Sequence, residues 1–195
     1  FAELAERPDL IVLEWHVDYW DRLVHGRAGS WKDPYSSKEN TTRQRQYNRA
    51  LRGTAGVYTP QAVINGRWQA VGNRASEIDD LLEADAYATA RIEISLDQDG
   101  LRVDVAAFDS SFPRGAEILR LTLLPRQTTS VPRGENRGAI LASRNVVIAA
   151  EPIGTYDGAR TSIHISAPQT GEVCAVIIQQ QRGGRLGPIL GASYC

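Results

Sequence analysis

Methionine is absent from this chain of 195 residues, lysine occurs only at Lys32 and Lys38, and the only cysteines are Cys174 and Cys195. No apolar run approaches the ~20 residues that a membrane-spanning helix needs, so membrane insertion is not expected. A net charge of −1 removes the electrostatic case for nucleic acid or an anionic membrane as partner. The histidines, His16, His25 and His164, include no two at metal-ligand spacing, so neither a metal nor a cofactor is expected. The cysteines do not form a Cys-x-x-Cys pair. They can join as one disulfide in an oxidising compartment, or Cys174 can be a small buried hydrophobe and Cys195 a free thiol. What remains is ordinary for a globular protein: 42% hydrophobic and 23% charged residues, with length for one large domain or two small ones.

With no methionine and an opening FAELAERPDL, the chain reads as a mature or trimmed product, or as one whose start lies further upstream. Phe1–Arg7 has the character of the last turns of a helix, with Pro8 just past its end.

Two halves differ in texture. Leu10–Trp15 (LIVLEW) is an apolar run expected to be a strand covered on both faces, and HVDYWD follows it at once. Ser36-Ser37-Lys38-Glu39 has capping-box spacing and predicts a helix running to about Leu51 and stopping before Gly53, with Tyr47, Ala50 and Leu51 on its inner face. Gln61–Ile64 and Trp68–Val71 flank Asn65-Gly66, the strongest short hairpin signal. A helix capped by Asn73 or Ser76 then carries Ile78, Leu81 and Leu82. From residue 90 onward, about seven short alternating runs separated by turn signals predict a β-sandwich. The chain thus divides into residues 1–88, of α/β character, and 89–195, mainly β.

Three groups of residues carry candidate chemistry. Tyr58-Thr59-Pro60 lies between a helix and a short strand followed by Asn-Gly. That order is similar to the proline loop of the thioredoxin superfamily. The resemblance implies a cis Thr59–Pro60 bond and a loop that offers the backbone of Thr59 to an extended substrate segment. Without it, the same residues are a plain trans turn. His16, Asp18, Tyr19 and Trp20 follow directly on the Leu10–Trp15 run, and strand ends are where ligand crevices form in α/β sheets. There His16 can take a thiol's proton or stabilise a thiolate. Alternatively His16 satisfies a buried backbone group and Asp18 caps a turn. Arg133-Gly134-Glu135-Asn136-Arg137-Gly138 is a charged loop without phosphate-loop spacing, suited to a domain contact or a turn. His164 alternates with Ile163 and Ile165, so it belongs to the polar face of its strand.

WHVDYWD, WKDP, SKENTTRQRQYNRAL, GVYTPQAVINGR, RGENRG and NVV together resemble one family along nearly the whole chain. It is the secreted bacterial family known as domain of unknown function 1223, with a thioredoxin-like part and a C-terminal β-rich part. Its members carry a strand and a C-S-S-C-P-P segment ahead of residues like those that open this chain. The resemblance implies a periplasmic or secreted location, and thiol–disulfide chemistry on protein thiols or disulfides through a cysteine pair before Phe1. A Cys-x-x-Cys at a helix N-terminus has the thiolate character that this exchange needs, and Cys174 and Cys195 lack that context. The chain as given is therefore expected to be inert in dithiol exchange. The other expectation is a non-enzymatic, chaperone-like protein that holds extended peptide.

Overall fold

The structure, a computed structural model, describes residues 2–22, 31–85, 89–108, 115–133 and 137–195. Its helices are α1 (Ala2–Ala5), a 3-10 turn (Asp18–Arg22), α2 (Lys38–Leu51) and α3 (Ala75–Ala84). Strands β1 (Gln61–Ile64) and β2 (Trp68–Val71) form a hairpin. Seven more strands follow: β3 (Ile92–Asp97), β4 (Gly100–Val105), β5 (Ala116–Ser130), β6 (Ile140–Tyr156), β7 (Thr161–Ile165), β8 (Val173–Arg182) and β9 (Arg185–Tyr194). They make a three-stranded sheet, β3-β4-β7, and a four-stranded sheet, β6-β5-β8-β9, with antiparallel pairing throughout. The fold is thus a mixed α/β part followed by a β-rich part.

Strand β8 explains the layering. Its run VCAVII does not alternate because both of its faces are covered. Cys174, Val176 and Ile178 join Leu101, Val103, Val105 and Ile118 in a core between the two sheets. Ala175 and Ile177 face the other way, with Leu119, Leu121 and Leu123, and there Leu13 and Trp15 cover them. Strand β5 alternates between the two cores, with Ala116 and Ile118 in the first and Leu119, Leu121 and Leu123 in the second, and the bulge opposite Ile118 and Leu119 lies in β6, where Ile153 is the extra residue. Fully burying each such aliphatic side chain stabilises the fold by about 1.5–3 kcal/mol.

Several expectations need correction. Leu10–Trp15 is not a central strand. Glu14 makes one isolated parallel bridge to Val146, its N–H donating to the Asn145 carbonyl (3.1 Å) while Val147 N–H donates to its own carbonyl (2.9 Å). Leu13 and Trp15 of the run are half-buried by packing on a sheet face rather than by forming a sheet. Ser37, not Ser36, caps α2 by accepting from Asn40 N–H (3.0 Å), because the Ser36 hydroxyl is engaged by Asp21 (2.7 Å) and the Asp33 carbonyl (3.0 Å). The buried face of α2 is Asn40, Thr41, Tyr47 and Asn48, a largely polar set, and Ala50 is exposed. Helix α3 starts at Ala75 after Arg74, with no side-chain cap from Asn73 or Ser76.

The Asn65-Gly66 turn forms as read. Both residues have positive φ (47° and 66°), as a type I′ turn requires, and Arg67 N–H donates to the Ile64 carbonyl (2.9 Å). Glycine is needed at 66 for a second reason: a Cβ there would lie 2.3 Å from the Gly187 carbonyl oxygen. The hairpin tip therefore sits against β9, and Ile189 N–H donates to the Asn65 carbonyl (2.8 Å).

Candidate functional site

Helix α2 organises the candidate site, because its polar face holds the strand-end segment and the proline loop at once. Toward the strand end, Asn40 Nδ2 donates to the His16 carbonyl (2.8 Å) and Ser37 N–H donates to the same oxygen (3.2 Å). Asp18 N–H donates to the Thr41 hydroxyl (3.1 Å), which donates back to the Asp18 carboxylate (2.6 Å). Toward the loop, Gln44 Nε2 donates to the Tyr58 carbonyl (2.6 Å) and to Gln61 Oε1 (3.0 Å). Asn48 donates to the Gly56 carbonyl (2.8 Å) and accepts from Gln61 Nε2 (2.8 Å). The Tyr58 hydroxyl bonds to Gln69 Oε1 and donates to the Ala70 carbonyl (3.1 Å), while the Arg52 guanidinium lies 4.9 Å from the centre of its ring. Burial pushes that hydroxyl above its ordinary range, so it stays a neutral donor.

The Thr59–Pro60 peptide bond is cis. Among the described residues the backbone N–H and C=O of Thr59 have no hydrogen-bond partner, and the residue is half-buried. Its hydroxyl accepts from Trp20 Nε1 at 2.6 Å. This contact joins the strand-end cluster to the proline loop. Trp20 is 49% exposed and Tyr19 packs beside it, ring centroids 6.2 Å apart, so an aromatic wall flanks the open Thr59 backbone.

His16 is placed for a different task. Its Nδ1 lies 2.5 Å from Asp33 Oδ2, its Nε2 lies 3.6 Å from Glu14 Oε1, and Tyr35 meets its ring edge-on at 5.7 Å. Burial by itself lowers its pKa, but the hydrogen bonds and charges of Asp33 and Glu14 outweigh it and raise the value to about 9. The imidazole is therefore protonated at neutral pH and cannot accept a thiol's proton. It is an ion-pair anchor, and its backbone carbonyl serves the start of α2.

Sequence reasoning missed Asp33, Thr41, Gln44, Asn48 and Gln61, the polar residues that fix this geometry. The only signal was position: Gln61 follows Pro60 directly, and Asp33 lies within WKDP. His25 and Gly134–Asn136 of the charged loop lie outside the described residues. His164 is exposed on its strand, 2.8 Å from Asp97. Cys174 and Cys195 are joined by a disulfide, so the chain carries no free thiol.

The profile of a family of proteins of unknown function, DUF1223, matches residues 1–180. The chain belongs to this family. The DUF1223 chain is also similar to the crystal structure of an Agrobacterium tumefaciens protein, at 30% sequence identity and a TM-score of 0.78, over 93% of this chain and 78% of that one. No curated protein matches it.

Proposed function

We propose that this DUF1223 protein is a thioredoxin-like thiol–disulfide oxidoreductase acting outside the cytoplasm, in the periplasm or secreted. In this reading residues 1–88 form the thioredoxin-like domain and 89–195 a β-sandwich-like partner domain. The redox cysteine pair belongs to residues ahead of Phe1. The observation that carries the reading is the Trp20–Thr59 hydrogen bond, which brings together two segments singled out independently in the sequence. Beside it, the unpaired Thr59 backbone is the edge that an extended substrate strand needs for main-chain pairing. The Cys174–Cys195 disulfide supports an oxidising compartment. It also leaves thiol exchange to cysteines elsewhere, since Cys174 is 1% exposed and neither cysteine is free.

The test is mixed-disulfide trapping with the full-length protein, its second upstream cysteine changed to serine. Trapped substrate is expected, and its yield is expected to fall in Thr59→Arg, which fills the edge. Trapping that is unaffected by Thr59→Arg removes the assigned role of the loop. The absence of free thiols favours one second reading, a non-enzymatic holder of extended peptide. In that case peptide binding would be sensitive to Thr59→Arg while insulin disulfides remain unreduced.

A further inference from the structure

A second feature lies away from Tyr58, Thr59 and Pro60 and has no part in the proposed redox function. The strand order puts β6 at the edge of the four-stranded sheet, and β6 is 17 residues long. The outer side of so long an edge is a template for pairing unless something covers it. Among the described residues Glu14 covers it from Arg144 to Val147: its N–H donates to the Asn145 carbonyl, its carbonyl accepts from Val147 N–H, and its Oε2 accepts from Arg144 N–H (2.9 Å). The chain then leaves the edge: Trp15 packs onto the sheet face, and the His16 carbonyl is taken by Ser37 and Asn40 of the α2 start. Beyond Val147, no described strand lies along the outer side of β6.

Helix α2 stands opposite this bare edge, and between them is a groove of about 570 Å³. One wall is residues 147–152 of β6, where Ile148 is the extra residue of a bulge, the facing wall carries Asn40, Arg43 and Gln46, and Glu117 and Leu119 of β5 line the groove between them. When consecutive strand residues line a groove, the strand's backbone edge forms its wall, because side chains alone would line it at every second residue. Six residues span about 20 Å, the length of an ordinary strand. Trp15, Leu119 and the 43% exposed Ile148 supply apolar surface.

The charge of the groove selects the occupant. Glu39, Glu117 and Glu151 line it, against Arg43 as the one cation among its described lining residues. Arg43 is already engaged: it donates to Gln179 Oε1 (2.6 Å) and to the Tyr47 hydroxyl (3.2 Å), and it stacks 4.4 Å from the centre of the Trp15 ring. Glu151 is shared with Arg120 (3.2 Å). Glu117 is half-buried and has no hydrogen bond or ion pair among the described residues. A half-buried carboxylate without a partner gains most from an incoming cation. A second copy of this chain is a poorer fit, because its own β6 edge would bring another Glu151 to an acidic groove.

We infer that the groove between α2 and the outer edge of β6 binds an extended polypeptide segment with alternating apolar and basic side chains, by strand addition to β6.

The probe is a fluorescently labelled peptide, acetyl-Val-Lys-Ile-Lys-Val-amide, titrated by anisotropy into the protein. Two controls accompany it: the same peptide N-methylated at alternate backbone nitrogens, and the acidic analogue Val-Glu-Ile-Glu-Val. The basic peptide is expected to bind, and each control to bind about tenfold more weakly or worse, a loss of about 1.4 kcal/mol. Glu117→Gln is expected to weaken the basic peptide severalfold, and Asp97→Asn, on β3 of the other sheet, to leave it unchanged. No binding by the basic peptide, equal binding of all three peptides, or a dimer in sedimentation that the basic peptide does not dissociate would each overturn the inference. The N-methylated peptide keeps the test decisive even where a protein variant fails to fold.

Discussion

The indole N–H of Trp20 donates to the hydroxyl of Thr59 at 2.6 Å, across 39 positions of sequence. This bond ties the segment after Glu14 to the loop before β1, and both segments are otherwise held by α2. Trp20→Phe keeps the ring and removes the donor. Because Trp20 is half exposed, the expected cost is about 0.5–1.5 kcal/mol of stability, read as a lower urea midpoint at unchanged slope. The same variant should reduce the yield of trapped substrate, because the Thr59 backbone is less firmly placed.

Gln179 joins α2 to the sheet. It is 1% exposed, accepts from Arg43 (2.6 Å) and Tyr47 (2.9 Å) on one oxygen, and donates to the Gly187 carbonyl (2.5 Å). Gln179→Leu leaves a guanidinium and a buried hydroxyl without their acceptor. The expected loss is about 2–3 kcal/mol, measured by urea denaturation, with partial recovery in the double variant that adds Tyr47→Phe.

The pair of His16 and Asp33 gives stability a defined pH dependence. The pKa of His16 is raised to about 9, so its contribution is full below its ordinary value near 6.5 and is lost as pH climbs through 9. Burial by itself raises the Asp33 carboxyl, but its hydrogen bonds to His16 and to Tyr35 N–H and the His16 charge lower it overall. Its contribution is therefore present above its ordinary value and lost as pH falls through the lowered one. Unfolding free energy should fall by up to about 3 kcal/mol between pH 6.5 and 9, and His16→Gln should flatten that slope. NMR titration should show the His16 ring still protonated at pH 8.

The Cys174–Cys195 disulfide closes a loop of 21 residues and ends at the strand whose Tyr194 hydroxyl accepts from Val12 N–H (3.2 Å) and Asn145 Nδ2 (3.0 Å). Loop-closure entropy gives it about 3 kcal/mol. Cys174→Ala with Cys195→Ala should lower the urea midpoint accordingly, and amides around Val12 should lose hydrogen-exchange protection.

Legibility in the sequence followed how local each signal was. Asn65-Gly66 fixes its own turn, so the hairpin was readable residue by residue. The alternation in β3, β4 and β7 reports the more buried face of each, as expected of short alternating runs. Strands β5 and β6, of 15 and 17 residues, are longer than the short runs expected, and they continue through Pro125, Pro152 and Gly154. Pro152 is tolerated on an edge strand, and Pro125 lies beyond the last residue that β8 pairs with β5. The Leu10–Trp15 run misled because an apolar segment lying across a sheet and a strand within one look alike in composition. The polar face of α2 gave no periodic signal, since Asn40, Thr41 and Asn48 are buried only through partners on distant segments. Of the candidate site, Thr59 and Trp20 were legible as members but not as a contact.

The most direct test of the central claim is insulin-disulfide reduction by the natural full-length protein, compared with two double variants. The account expects catalysed reduction that is abolished when the cysteine pair upstream of Phe1 becomes Ser-Ser, and preserved when Cys174 and Cys195 become serine in a protein that still folds. Equal rates with and without the upstream pair, or the absence of a Cys-x-x-Cys in the residues that precede Phe1, would contradict it.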